Sequence, residues 1–411
     1  MHPGRWYSTA LVLVALAVGP ALADGSDRKQ SVRLPRPGSY EGEALDAALA
    51  VLHLTIDPAP QGKRLGRIHV VNQPVFGPRD RFLQFFNLFH YTTRDAAIER
   101  EVTLRPGQLW DDTKILETER KLRDPVLTAR VVVAPVRSPR PGTVDLLVVT
   151  RDVWSLRMNS NFELQEGQLT ELTISLSENN FLGYRKQVAI VFDMDQGKYF
   201  IGPLYHDRNM AGTRLQLRTF GGPLFGRASG QLEGAQQSTT LTYPLWSVDS
   251  HWAAEGQFTY RDSIARLFQG RRLFLYDVTV GERPGVVEHH RVPYEYRLRQ
   301  TLLQGGVTRS FGRALLHRVS LGYELAGLNA SVPATFSDGP EVQAAFERDV
   351  FPREELSSAL VGKYALTTSR FVTYHDIDTY DLSEDSRLGP DATVELAVAR
   401  RELGSDASFL R

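Results

Sequence analysis

The sequence predicts a mainly β fold, a small α+β domain followed by an antiparallel transmembrane β-barrel that is incomplete. Three observations predict it. From Leu104 to Leu156 a turn, a helix and two β-rich runs follow one another. Beyond Trp154, β-rich segments recur between Gly, Pro, Asn and Asp turns, and helical periodicity nearly disappears. Several of those segments alternate apolar with charged residues and are long enough to cross a bilayer at a tilt.

The small domain spans residues 65–152. Arg67-Ile68-His69-Val70-Val71 is a short strand, and Thr93 to Val102 is a helix with Thr92 or Thr93 as N-cap and Ile98 and Val102 spaced four apart. After the Leu104-Arg105-Pro106-Gly107 turn, Asp111 and Asp112 offer side-chain acceptors suited to an N-cap. The helix that follows carries Ile115, Leu116, Glu119 and Leu122 and stops at Asp124-Pro125. Its apolar side is narrow, so it must dock on something. Val126 to Val133, a Ser138-Pro139-Arg140-Pro141-Gly142 turn and Val144 to Val149 supply it as a hairpin.

Upstream, a mildly positive start, an apolar Ala10 to Val18 and Ala21-Leu22-Ala23 before Asp24 read as a signal peptide over residues 1–23. The apolar run falls short of the ~18–20 residues a spanning helix needs, and Gly19-Pro20 interrupts it. Residues 24–64 read as a linker, within which Gly42 to Leu54 has the spacing of a short helix through Leu45, Leu49 and Leu52. Between Asn72 and Tyr91, Phe82, Phe85, Phe86, Leu88 and Phe89 crowd together. They fit a helix filling the core of the small domain; the sharper alternative is a surface docking on the barrel rim, on lipid or on a partner.

Residues 153–411 read as barrel. In Arg214 to Phe220, Leu215 and Leu217 oppose Arg214, Gln216 and Arg218; Tyr296 and Leu298 oppose Glu295, Arg297 and Arg299; Val394, Leu396 and Val398 share one face. Leu169 to Asn180, Arg271 to Val280 and Arg291 to Leu303 each reach the ~9–11 residues of a spanning strand. Tyr199-Phe200, Tyr243, Trp246, Trp252, Tyr260, Tyr276, Tyr294 and Tyr374 lie near segment ends, as interfacial girdles require. About a dozen strands fit between Trp154 and Arg411, a count that suits a barrel better than a compact sandwich.

Composition narrows the chemistry. Lys+Arg and Asp+Glu are both 48, so no cationic footprint marks a nucleic-acid binder. The chain has no cysteine, hence no disulfide and no thiolate metal site. No Gly-x-Ser-x-Gly elbow, phosphate-binding Gly-Lys-Ser/Thr loop or His-Glu-x-x-His occurs, so neither an enzyme nor a cofactor is expected. Asp376, Asp378, Asp381, Glu384 and Asp385 are hard oxygen ligands but read as a solvated loop. His289-His290 beside Glu288 diverge on a strand, and Arg297 and Arg299 beside Glu295 fit internal pairing in a plugged or narrow lumen.

These residues resemble the BamA/TamA-like outer-membrane assembly superfamily, in which POTRA domains precede a barrel. Ile68-His69-Val70, Ile98-Glu99-Arg100-Glu101, Leu104 to Leu109, Leu116 to Leu122 and Val148 to Leu156 resemble a POTRA domain. Ser175 to Gly183, with its Asn-Phe-Leu-Gly ending, is similar to the family's first barrel hairpin, and Pro203 to Arg214 to its next landmark. The resemblance covers about Leu65 to Gly221 well and the rest as general barrel texture. Two features depart from the family: no Arg-Gly-Phe/Tyr lid-loop motif is present, and Ser408-Phe409-Leu410-Arg411 lacks the terminal aromatic of an outer-membrane strand signal. With fewer strands than the family's barrel, the expectation is a fragment lacking its last strands, or else a smaller barrel.

The resemblance implies a protein of the cell outer membrane, its POTRA-like domain in the periplasm, that inserts or translocates other proteins. The expected partners are unfolded outer-membrane clients, periplasmic or lipoprotein partners and outer-membrane lipid. The first barrel strand would be a weak seam, polar and free of β-branched residues, with Arg157, Asn159, Asn161 and Glu163. The small domain would bind by strand addition along Val126, Thr128, Arg130 and Val132, for which ordinary sheet core is the plain alternative. The rival function is a pore or secretion channel without insertase activity.

Overall fold

A computed structural model describes residues 31–32, 34–75, 91–165, 167–283, 286–375 and 383–411. The signal peptide expected over 1–23, the aromatic run Phe82 to Phe89 and the acidic stretch Asp376 to Asp381 lie outside the described residues.

The small domain comprises α1 (Tyr40–Leu52), β1 (Arg64–Gln73), α2 (Asp95–Glu99), α3 (Asp112–Leu122), β2 (Thr128–Arg137) and β3 (Thr143–Asp152). Its sheet runs β1-β3-β2, with β1 parallel and β2 antiparallel to β3. Asp111 caps α3 by accepting from the amides of Thr113 and Lys114. The two faces of the sheet bury different layers. Ile98, Leu104, Ile115 and Leu122 pack on Val131, Val133, Leu146 and Val148. Ala44, Leu45 and Ala48 pack on Val132, Ala134, Leu147 and Val149 on the other face.

The linker reading over 24–64 is thereby corrected for Tyr40–Leu52. Ser39 accepts from the amide of Gly42 to open α1, His53 closes it in a left-handed conformation, and the helix belongs to the domain core. The helix expected over Thr93 to Val102 shrinks to the single turn of α2, because the Thr93 amide and hydroxyl are both drawn to the buried Asp152 carboxylate.

The second part is a twelve-stranded antiparallel sheet. Its strands are β4 (Leu156–Gln165), β5 (Gln168–Glu178), β6 (Gln187–Met194), β7 (Lys198–Asp207), β8 (Gln216–Gly226), β9 (Leu232–Tyr243) and β10 (Trp252–Arg266), followed after an excursion by those that complete it. The excursion holds β11 (Phe268–Gln269), β12 (Arg272–Leu273), β13 (Leu275–Arg283) and β14 (Val286–Pro293). Then come β15 (Glu295–Phe311), β16 (Leu315–Ser331), α4 (Pro340–Val350), β17 (Glu355–Thr368), the hairpin β18 (Phe371–His375) and β19 (Ser383–Arg387), β20 (Asp391–Ala399) and β21 (Phe409–Leu410). Neighbours pair in the order β4 to β10, β15, β16, β17, β20, β21, and the two ends do not pair with each other.

The registers sort the side chains. Val307, Leu321, Gly362 and Leu396 follow one another across β15, β16, β17 and β20, and Phe162, Leu172 and Met194 do so across β4, β5 and β6. The large apolar residues of this face are exposed, Leu321 at 67% and Val394 at 66%, whereas the opposite face carries Thr308 bonded to Ser320, Gln304 to Gln257, and Lys363 beside Glu395. An apolar face without cover and a hydrogen-bonded polar face opposite is the pattern of a sheet whose outside meets lipid.

Three strand and girdle expectations change. Arg271 to Val280 does not span; it belongs to the β13-β14 hairpin, where Val278 and Val292 pack on Val342 and Phe346 of α4. Arg291 to Leu303 is broken at Tyr294, between β14 and β15. Tyr276 and Tyr294 enter the aromatic cluster around Phe346 instead of a lipid girdle. The helix α4, hidden in a stretch read as all strand, follows from Gly339-Pro340 and Val342, Ala345 and Phe346 at helical spacing.

Ile115→Ala, which empties the centre of the layer under α3, is expected to lower the domain's opening free energy by about 2–5 kcal/mol. Hydrogen exchange at the Val148 amide reads it, and unchanged protection would mean that α3 does not close this core.

Candidate functional site

The end of the large sheet nearest the small domain, its proximal end, carries connections that grip that domain at several points. The first is a buried polar joint. Asp152, at the end of β3, receives Thr93, and Asn180 of the β5-β6 connection donates to the Tyr91 carbonyl at 2.7 Å and to the Thr93 hydroxyl at 3.0 Å. Gly183 accepts from the Arg94 amide at 2.9 Å. At its φ of +77° an added Cβ would stand 2.5 Å from the Thr92 carbonyl, so only glycine lets the two segments approach this closely. Arg185, 5% exposed, reaches the Thr128 hydroxyl at 2.5 Å, and burial presses its guanidinium below the usual arginine range. Arg208 pairs with Asp124 beside it.

The second grip is α3. Lys121 Nζ donates to the Trp246 carbonyl at 2.8 Å and sits 3.3 Å above its ring, with Arg214 at 3.7 Å from the same ring. Lys121 holds the β9-β10 turn to the helix, while Arg214, from the connection before β8, lies against the same indole. The Val248 amide donates to Glu117 at 2.8 Å, and Lys114 pairs with Asp249 at 3.1 Å. Burial pushes Lys121 down to about 8, against the pull of Glu101 and Glu117, and raises Glu117. Further along, Arg123 bridges Glu119 at 2.5 Å and Asp385 of the β18-β19 hairpin at 2.9 Å, and Arg120 covers the Phe371 ring. Trp246, expected in an interfacial girdle, is therefore a docking residue.

Between these grips lies a cleft of about 610 Å³. One wall is α3 and the Thr128 to Val131 edge of β2; the other is the proximal end of the large sheet, with Leu245, Val248, Ser310, Leu316, Arg318 and Phe371. β2 is an edge strand: Ile56 bridges Val136, and no strand lies beyond Thr128 to Ala134 among the described residues.

Of the residues expected on that edge, Val126 precedes the strand, and its carbonyl accepts from Arg157. The Thr128 side chain is committed to Arg185, Arg130 lies over the Tyr40 ring, and Val132 is buried in the core. The side chains of Thr128 and Val132 thus belong to the joint and the sheet core, and strand addition along this edge would use its backbone.

The expected seam residues Arg157, Asn159, Asn161 and Glu163 all lie on the polar face of β4, opposite Ser177, Ser175, Thr173 and Glu171 of β5. β4 is the first edge of the sheet, and Met158 and Phe162 stand 73% and 63% exposed on its apolar face. Arg157 ties its start to the Pro125 and Val126 carbonyls.

The far, distal end carries a cluster of paired charges. Arg266 meets Glu233 through two bonds of 2.7 Å, Glu295 at 2.9 Å and the Gly197 carbonyl at 3.2 Å. Arg297 and Arg299 pair with Asp262, so the internal pairing expected of them exists with a different carboxylate from Glu295. His289 faces Asp277 and His290 faces Glu288, so the two imidazoles diverge.

Fold and site define a class, a small αβααββ domain fastened to one end of an open, outward-apolar antiparallel sheet. Among solved structures the chain is similar to BamA from Haemophilus ducreyi lacking POTRA domains 1-3, at 10% identity and a TM-score of 0.35 over 80% of this chain and 84% of that one. It is also similar to CdiB from Acinetobacter baumannii (9% identity, TM-score 0.31, 87% of this chain and 68% of that one) and CdiB from Escherichia coli (9%, 0.35, 82% and 62%). No protein-family model and no curated protein sequence matches the chain. The strand order and registers define the architecture independently of these likenesses.

The joint and the Lys121 contact were missed in the sequence, although Arg185-Lys186 directly after Leu182-Gly183-Tyr184 and the Pro244-Leu245-Trp246 turn were visible. Their partners are far away in sequence, and no local periodicity reports them. Because the docked Lys121 sits at about 8 against 10.5 free, the undocked state binds more protons between those values, and docking strengthens as pH rises from about 8 towards 10.5. Protease protection of the domain is expected to rise across that window, by up to about 3 kcal/mol in opening free energy, and to lose this component in Lys121→Met. Equal pH profiles for the two proteins would refute it.

Proposed function

We propose that the chain is an outer-membrane protein of the BamA/TamA type that templates client β-strands at an open seam, with the POTRA-like domain on the periplasmic side. One observation carries the reading: β4 is an unpaired edge strand, exposed on both faces, tied directly to a domain whose own edge strand borders the same proximal cleft. An arriving client brings strands whose N–H and C=O groups cannot enter hydrocarbon unpaired, and β4 offers a ladder to pair them. The polar side chains of β4 match a partner strand's lumen face, and Met158, Phe162 and Leu164 continue the lipid face. Backbone addition on Ala129 to Val131 would hold the client, or a periplasmic or lipoprotein partner, beside the mouth.

The test is reconstitution in vesicles. Heat-modifiable folding of an unfolded outer-membrane protein is expected to speed up several-fold over empty vesicles and to fall back when Met158→Pro and Ser160→Pro remove two ladder donors from the open edge of β4. Ion conductance without any acceleration would instead support a secretion pore. Leu321→Arg, in the middle of the apolar band, is expected to destabilise the sheet in bilayers by about 2–4 kcal/mol. Urea titration in vesicles measures it, and a neutral outcome would take this face out of lipid.

A further inference from the structure

Two levels of charge bound the apolar face of the large sheet. On β10 and β15, Asp262 stands opposite Arg299 at one level, and Trp252 stands opposite Arg309 at another, ten residues nearer the small domain. At ~3.4 Å per residue and a strand tilt of about 40°, that spacing spans roughly 25 Å, the height of a lipid-facing apolar band. Between the two levels β10, β15 and β16 present no Asp, Glu, Lys or Arg on this face, and Leu303, Val307 and Leu321 stand exposed there.

The charges of the distal level are settled, since Asp262 takes both Arg297 and Arg299. Arg309 differs. No carboxylate shares its level, where Val319, Tyr364 and Val394 continue the row across β16, β17 and β20. Its guanidinium lies 4.8 Å from the centre of the Trp252 ring and makes no hydrogen bond or ion pair with another described residue. Aromatic side chains surround it: Tyr243 and Trp252 hold the girdle places expected of them, and one level nearer the small domain His317 stacks on Phe311 at 5.3 Å, with its Nδ1 2.8 Å from the Tyr364 hydroxyl. Just beyond, Arg313 in the β15-β16 turn and Arg370 after β17 are exposed and have no acidic partner among the described residues. The Ser369 hydroxyl and amide donate to the Arg313 and Ala314 carbonyls and tie the two turns together.

A lipid-facing arginine costs far less at the bilayer interface than at the midplane, and the anions that an interface offers are phosphates. With one face of the guanidinium on the indole, its N–H edge remains for bidentate contact with phosphate oxygens. Three cations with no carboxylate between them also attract a headgroup whose phosphate charge no ammonium cancels. We propose that Trp252, Arg309, Arg313 and Arg370 form a binding site for an anionic phospholipid in the leaflet beside the small domain. Arg309 holds the phosphate, and the two turn arginines select for net negative charge. The site goes beyond strand templating and rests only on the apolar face meeting lipid.

The test reconstitutes the full chain in phosphatidylcholine vesicles doped with brominated lipid and reads the quenching of Trp252, taken as the difference from Trp252→Phe. Brominated phosphatidylglycerol against brominated phosphatidylcholine gives the relative affinity at that position. A preference of about tenfold for phosphatidylglycerol is expected. Arg309→Gln should remove most of it and Arg309→Lys should keep part, while Arg313→Gln together with Arg370→Gln should lower it about two- to threefold. Equal quenching by the two lipids in the unaltered protein overturns the proposal without any variant, as does a preference that survives Arg309→Gln. Inorganic phosphate at constant ionic strength should leave the preference intact; its loss would assign the site to free phosphate and overturn the lipid. A preference in a protein that does not speed client folding would refute insertion alone, and acceleration with no preference would refute the site alone.

Discussion

A strand in hydrocarbon must give every backbone amide and carbonyl a partner in another strand, and the architecture of this chain turns on where that requirement is met. It is met from β5 to β17, where each strand has a neighbour on both sides. Among the described residues it is unmet along the outer side of β4 and most of that of β20, since β21 covers β20 only around Val398 and Ala399. The apolar band continues without change onto Met158 and Phe162 of the edge strand, so lipid contact reaches the edge while the ladder stops there. A sheet of this kind is stable in its middle and reactive at its margin.

The small domain bears on the margin through polar contacts that burial makes specific. Asp152, Thr93, Asn180 and Arg185 meet at the place where β3 hands over to β4; Asn180 and Arg185 would lose these partners if the β5-β6 connection moved away, while Asp152 would keep Thr93 and Asn72. Arg157 adds a bond from β4 itself. At the other side of the mouth, the grip by α3 uses charged residues on aromatic rings and carboxylates, which tolerate small shifts better than the joint does. The domain is thus pinned hard beside the seam and held more loosely at the β18-β19 hairpin, and the cleft lies between the two.

How much of this could be read in advance follows from the range of each interaction. The cap at Asp111, the β2-β3 hairpin and the inward position of Arg157, Asn159, Asn161 and Glu163 are local or period-two facts, and the structure places them as the pattern does. The role of α1 was not legible, because Leu45 and Ala48 look like any short amphipathic stretch until the second face of the sheet needs cover. Periodicity could not tell that Arg271 to Val280 leaves the sheet, since a hairpin packed on α4 alternates as a spanning strand does.

Strand direction adds a last constraint on the open margin. Both β4 and β20 run away from the small domain, β4 from Leu156 at the joint and β20 from Asp391 beside β19. They cannot join each other in the antiparallel pattern that every other pair in the sheet obeys. A single strand returning towards the small domain is antiparallel to both. β21 occupies the distal end of that lane, at the Val398–Leu410 and Ala399–Phe409 pairs, and Arg411 continues the same direction with its guanidinium on Glu324. Any closure between these two edges therefore takes an odd number of strands, and a two-stranded hairpin added to β4 leaves an edge of the same direction and the same mismatch as before.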